Sequence, residues 1–112
     1  MTVSFDGFDN KAITFMTEEM IDPGTIVTLS DPGTVSPAGS NDIPIGVVLG
    51  CDGSYACVGV RGVYKMPCSS SVGVGFYCLE TNSEGRLTEG TDGIYRFVLD
   101  VDETSGTATV LL

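Results

Sequence analysis

Tyr55-Ala56-Cys57-Val58-Gly59-Val60-Arg61, followed at once by Gly62-Val63-Tyr64-Lys65-Met66, is the stretch on which the fold turns. Ala56, Val58 and Val60 fall on one side of an extended chain, and Tyr55, Cys57, Gly59 and Arg61 on the other. That period of two marks a half-buried strand. Gly62 breaks the run and Val63–Met66 resumes it, so two strands are expected with a glycine at the joint.

Working outward, Ile43–Cys51 (IPIGVVLGC) is nearly all apolar, as a strand buried on both faces would be. Lys11–Met16 (KAITFM) and Thr25–Ser30 (TIVTLS) are rich in β formers, and Gly73–Glu80, Ile94–Val101 and Thr107–Leu112 complete the set. The joints are turn chemistry. Asp22-Pro23-Gly24 and Asp31-Pro32-Gly33 each place proline second and glycine third, a type II pattern. Cys51–Tyr55, Asn82–Arg86 and Glu103–Gly106 read as hairpin links. Only Thr17–Ile21 (TEEMI) resembles a helix start, and Pro23 limits it to one or two turns. Ser30–Asp42 has little apolar content and reads as an exposed loop, either a partner contact or an inert connection. The expectation is a mainly β, single-domain fold: a small β-sandwich or partly open β-barrel of short strands with at most one short helix. Residues 1–22 form an N-terminal segment, a docking arm, and residues 23–112 the β domain.

Composition excludes more than it assigns. Fifteen acidic residues against five basic ones give a formal charge of −10, which disfavours nucleic acid as a partner. An acidic face could meet a basic protein surface, and solubility alone is the competing reading. There is no histidine, the commonest general base and metal ligand. The serines of Pro67–Gly73 would need a lysine base, and only Lys11 and Lys65 exist. GVGFYC and GVRGVY have spaced glycines but no following helix to hold a phosphate. We therefore expect no enzyme, no catalytic residue and no cofactor. Asp6, Asp9 and Asn10 lack the calcium-loop pattern, and Asp100 and Asp102 on one strand face read as solvated charges. Cys51, Cys57, Cys68 and Cys78 lack the close pairs zinc prefers. Free thiols are the first reading, with Cys57 and Cys78 as small core residues, and a disulfide or metal site the alternatives. The chain opens without a secretory signal and has no apolar run of about 20 residues, so cytosolic synthesis and no membrane span are expected.

From Thr25 onward the order of TIVTLSDPG, PIGVVLGCDGSYACVGVRGVYKMP, VGVGFYCLETNSEGRL and YRFVLDVDETSGTATVLL resembles the small capsid cement or decoration proteins of tailed bacteriophages. The order of PIGVV, VRGVYKMP and the closing strand is the specific part; the four cysteines, the acidity and the N-terminal segment depart from the pattern. The resemblance implies a virion protein, made in the bacterial host cytoplasm, that binds the outer capsid surface where major capsid protein subunits meet. It implies stabilisation of the closed lattice by mass action, and a trimer or a seat around a local symmetry axis. A head-fibre base fits as well as a cement protein. No motif carries the docking residues. Phe5, Phe8, Phe15, Met16 and Met20 are the candidates, as an arm that docks in a groove or adds a strand to a neighbour. Against that, Ile13, Phe15 and Met16 would equally complete the core, whereas Phe5 and Phe8, flanked by Asp and Gly, lean toward the arm. The alternative function is a free-standing ligand-binding β module, such as a carbohydrate-binding or adhesin domain with exposed aromatics on a flat face. Tyr55, Tyr64, Tyr77 and Tyr95 all fall within strands and tryptophan is absent, which supplies such a platform poorly.

Overall fold

The computed structural model describes residues 10–91 and 93–112. Ten strands follow in chain order: β1 (Lys11–Met16), β2 (Ile26–Asp31), β3 (Thr34–Pro37), β4 (Gly46–Cys51), β5 (Tyr55–Arg61), β6 (Val63–Pro67), β7 (Gly75–Thr81), β8 (Leu87–Glu89), β9 (Ile94–Asp102) and β10 (Thr107–Leu111). No helix occurs among the described residues. The first five close a barrel in the order β1-β3-β2-β4-β5, and the last five form an open sheet in the order β6-β10-β9-β7-β8. Closure rests on β1, which pairs antiparallel with β5 from Lys11↔Arg61 to Met16↔Tyr55 and parallel with β3 at Met16↔Thr34. Residues 11–16 of the N-terminal segment are therefore a stave of the barrel.

Two cores result, and β2 and β4 serve both. Val27 and Val48 point into the barrel with Val35, Ala56 and Val58, while Ile21 closes the same cluster. Their chain neighbours Ile26 and Val47 point out through the wall, against Met66, Leu79, Leu87, Val98, Ala108 and Val110 of the sheet. This double burial is why the sequence around Gly46–Val48 has no polar alternation. Fully burying each such side chain contributes roughly 1.5–3 kcal/mol. β5 alternates as its sequence demands, with Ala56 and Val58 buried and Tyr55, Cys57 and Arg61 exposed.

Gly62 is where the chain leaves the barrel for the sheet. Its φ of 118° suits glycine, and a Cβ there would overlap the Asn10 amide. That amide pairs with Val63 like a short strand: Val63 N–H donates to Asn10 Oδ1 at 2.9 Å, and Asn10 Nδ2 donates to the Val63 carbonyl at 3.1 Å. Barrel and sheet are also stapled at Thr81, whose buried hydroxyl donates to the Gly39 carbonyl at 2.6 Å.

Three expectations are corrected. Thr17–Ile21 forms no helix. The Thr17 hydroxyl folds back locally, donating to the Glu19 carbonyl at 3.1 Å, and Ile21 is drawn into the barrel core at 3% exposure. Five residues ahead of a proline cannot repay helix nucleation, whereas burying Ile21 is favourable. The segment read as a loop, Ser30–Asp42, contains β3, with Val35 and Ala38 buried. Cys57 is exposed, because it shares the outward side of β5 with Tyr55; Cys68 is the buried thiol, and all four cysteines are unpaired. Both DPG turns carry a left-handed glycine, Gly24 at φ 90° and Gly33 at φ 67°. In the first, Thr25 N–H donates to the Asp22 carbonyl at 3.2 Å.

Candidate functional site

The sheet covers the barrel with one face and turns the other outward. Leu79 of β7, Val98 of β9 and Val110 of β10 face the barrel, so strand alternation turns Phe76, Phe97 and Leu111 outward. Register then aligns them: Val63 lies opposite Leu111, Leu111 opposite Phe97, and Phe97 opposite Phe76. The product is a continuous apolar row across four strands, about 14 Å long at the usual strand spacing. Tyr95 adds a third ring beside it. Phe76 stacks on Tyr95 at 5.2 Å between ring centroids and meets Phe97 at 4.6 Å. Even so, Phe76, Tyr95 and Phe97 remain 54%, 64% and 51% exposed. Val74, just ahead of β7, is exposed as well. The neighbouring row, Lys65, Thr109 and Asp100, is polar and borders the patch, with Thr109 itself buried between its neighbours.

A β-bulge at Leu99 reverses the alternation of β9, so that Val101 packs on the core and Asp100 and Asp102 face water. Asp102 caps the β9–β10 turn, and the N–H groups of Ser105 and Thr104 that it accepts hold its carboxyl below the usual carboxylate range. Asp52 does the same for the β4–β5 turn, accepting the Tyr55 N–H at 2.8 Å and the Ser54 N–H at 2.9 Å, which lower its pKa too. Both carboxylates are thus used in turns. Among the described residues no three His, Cys, Asp or Glu side chains gather in a metal-binding group.

The residues singled out as docking candidates are dispersed. Phe5 and Phe8 lie outside the described residues. Phe15 is half-buried against the barrel core. Met16 and Met20 are exposed at the end of the barrel that carries the β2–β3 and β4–β5 turns, together with Tyr55, which lies opposite Met16. A groove of about 550 Å³ is lined by Ile13, Leu29, Ile43, Val60, Ile94 and Arg96, among others. Arg96 Nε is buried without a hydrogen-bond partner, an arrangement that costs about 1–3 kcal/mol. Burial lowers the pKa of this guanidinium from its ordinary value.

The aromatic row and Arg96 were not among the sequence candidates. The signal was present in GFYCLE: once Leu79 is taken as a core residue, alternation sends Tyr77 inward and Phe76 outward.

Five strands rolled into a barrel and five laid against its wall are an arrangement already seen in solved proteins. No protein-family model matches the chain, and no curated protein sequence matches it. Its fold is similar to that of a C-terminal fragment of gene product 12 of bacteriophage phi29, with a TM-score of 0.68 and 16% identity over 90% of this chain and 98% of that one. It is also similar to the N base of the head fibre gp8.5 of bacteriophage phi29, with a TM-score of 0.64 and 16% identity over 92% of this chain and 93% of that one. At this identity the likeness is one of fold.

Proposed function

We infer that this chain is a phage head-associated structural protein that binds the outer surface of the capsid, with the major capsid protein as its partner. The observation that carries this reading is the outward apolar row of Val63, Leu111, Phe97 and Phe76 with Tyr95 beside it. Exposed patches of this kind mark interaction sites, and the head-fibre neighbour supports a phage head as the setting. Binding only to the assembled lattice stabilises it by mass action, and many copies on a symmetric shell make modest contacts collectively strong. A trimer would seat the rows of three copies around one local axis. The barrel end that carries Met16, Met20 and Tyr55 is the competing docking surface.

The test is co-sedimentation with expanded and unexpanded shells of the cognate phage, titrated to saturation. Saturable binding at a fixed copy number per capsid subunit is expected; absence of binding to either shell refutes the reading. One observation favours the ligand-binding alternative, because three half-exposed rings on a flat sheet are also a sugar platform. Glycan titration monitored at Tyr95 separates the two.

A further inference from the structure

β1 closes the barrel at a single point. It pairs with β5 along its whole length, but its other edge meets β3 only at Met16↔Thr34. There Met16 N–H donates to the Gly33 carbonyl at 2.8 Å, while the next amide, Thr17 N–H, turns back toward β5 and donates to the Ser54 carbonyl at 3.0 Å. Backbone groups alternate sides along a strand in this way, so Ala12 and Thr14 present their N–H and C=O groups to the same edge as Met16. No strand among the described residues pairs with them there, and both residues are exposed. Such an edge is a template for a further strand.

The side chains beside that edge say what the further strand must carry. Ile13 lies opposite Val58, and Leu29 follows Val27 by two residues, so both fall on the inner side of the barrel with those core residues. Both are nevertheless half-exposed, in the groove that Ile43, Val60 and Arg96 also line. Arg96 is the one charged residue among those lining it, and its Nε is buried with no hydrogen-bond partner. Backbone donors and acceptors, an apolar wall and a lone guanidinium therefore meet in one place, and a strand with apolar side chains and a carboxylate answers all three. We propose that the free edge of β1 and this groove form a docking site for an extended acidic-apolar segment of another protein, which adds as a strand beside β1 and sets a carboxylate against Arg96. The net charge of −10 disfavours a second copy as the source of that segment. The site shares no residue with the aromatic row and does not depend on the capsid reading.

The test titrates the full-length chain, without capsids, with a blocked synthetic peptide that alternates threonine with valine and has one central glutamate among the valines. NMR follows the Ile13, Leu29 and Ile43 methyls, the Arg96 Nε–H and the exchange of the Ala12 and Thr14 amides. Saturable shifts of the four groove signals are expected at millimolar peptide, with slower exchange at both amides. A glutamine version of the peptide should bind at least tenfold more weakly, and Arg96→Gln should abolish that preference. No shift with the glutamate peptide overturns the proposal, as does equal affinity for the two peptides or unchanged exchange at Ala12 and Thr14. Amides already protected in the free chain overturn it too, because the edge is then filled from within. Groove signals of the free chain that change on dilution do the same, since the occupant is then a second copy.

Discussion

Replacing Phe97 by serine removes the centre of the aromatic row while leaving the core face of β9 untouched, since Val98 carries that packing. Phe97 is 51% exposed. An aromatic side chain buries 150–250 Å² in full, so about 100 Å² remains for a partner to cover. At about 25 cal/mol per Å² the lost burial is worth about 2.5 kcal/mol, roughly a 70-fold weaker Kd. The free protein loses the Phe76 ring contact, about 0.5–1.5 kcal/mol, together with some strand preference. It should therefore melt a few degrees lower yet remain folded at assay temperature. Co-sedimentation with cognate shells gives the affinity, circular dichroism the fold. Tyr55→Ser at the barrel end, an equally exposed aromatic on a different surface, is the control and should bind within threefold of the unaltered chain. A folded Phe97→Ser protein within threefold of the unaltered affinity refutes the assignment of this face. A large loss in Tyr55→Ser instead would transfer the docking surface to the methionine end.

Gly59→Ala should destabilise the fold by about 1–3 kcal/mol, because a Cβ there lies 2.5 Å from the Tyr64 ring; thermal melting checks this, and an unchanged Tm would mean the ring yields freely. In timed alkylation of the native protein, exposed Cys57 should react first and buried Cys68 last, its thiol pKa being raised by desolvation; equal rates at both contradict the burial assigned. Asp52 and Asp102 both have lowered pKa values, so what they add to stability is fully present above the unfolded value of about 3.9 and is lost as pH falls through the lower folded midpoints. Carboxyl NMR titration should place both midpoints below 3.9, and a midpoint at or above that value removes the capping account.

Strand alternation made β5 and its break at Gly62 legible, since each core residue there has a solvent-facing neighbour. The apolar run around Gly46–Val48 was equally readable as a strand buried on both sides. What a single sequence could not give is which partner each side meets. Gly62 looked like an interruption, whereas it moves the chain from one sheet to another. β3 escaped notice because four residues, two of them hydroxylic and the last a proline, carry almost no periodic signal; only Val35 reports its burial. Thr17–Ile21 misled in the opposite sense, since local capping chemistry was outweighed by the tertiary pull on Ile21. The docking candidates suffered from the same limit. Hydrophobicity alone could not tell half-buried Phe15 from exposed Met16, nor reveal that Phe76 and Phe97 share one row.

The position of that row follows from how the two cores divide the sheets. A closed barrel has an inside and an outside, and here part of its outside is used to cover one face of the second sheet. That sheet has no third layer among the described residues, so its outer face has no internal partner. In a chain with 15 acidic and five basic residues, the default covering of such a face is charge. Instead the row of Val63, Leu111, Phe97 and Phe76 has none. Beyond the ring contacts within the row, the area left in water adds nothing to folding, and an exposed apolar patch of this kind is what an association surface offers. The net charge then acts in a complementary way. At −10, free copies repel one another, which disfavours pairing of exposed rows in dilute solution. In the proposed capsid role the sites would be fixed by the lattice, and burial of the row at each site would have to outweigh only the screened repulsion between neighbours. Acidity and an apolar face are thus compatible in that role: the first would keep free copies apart, and the second would hold them where a surface is offered.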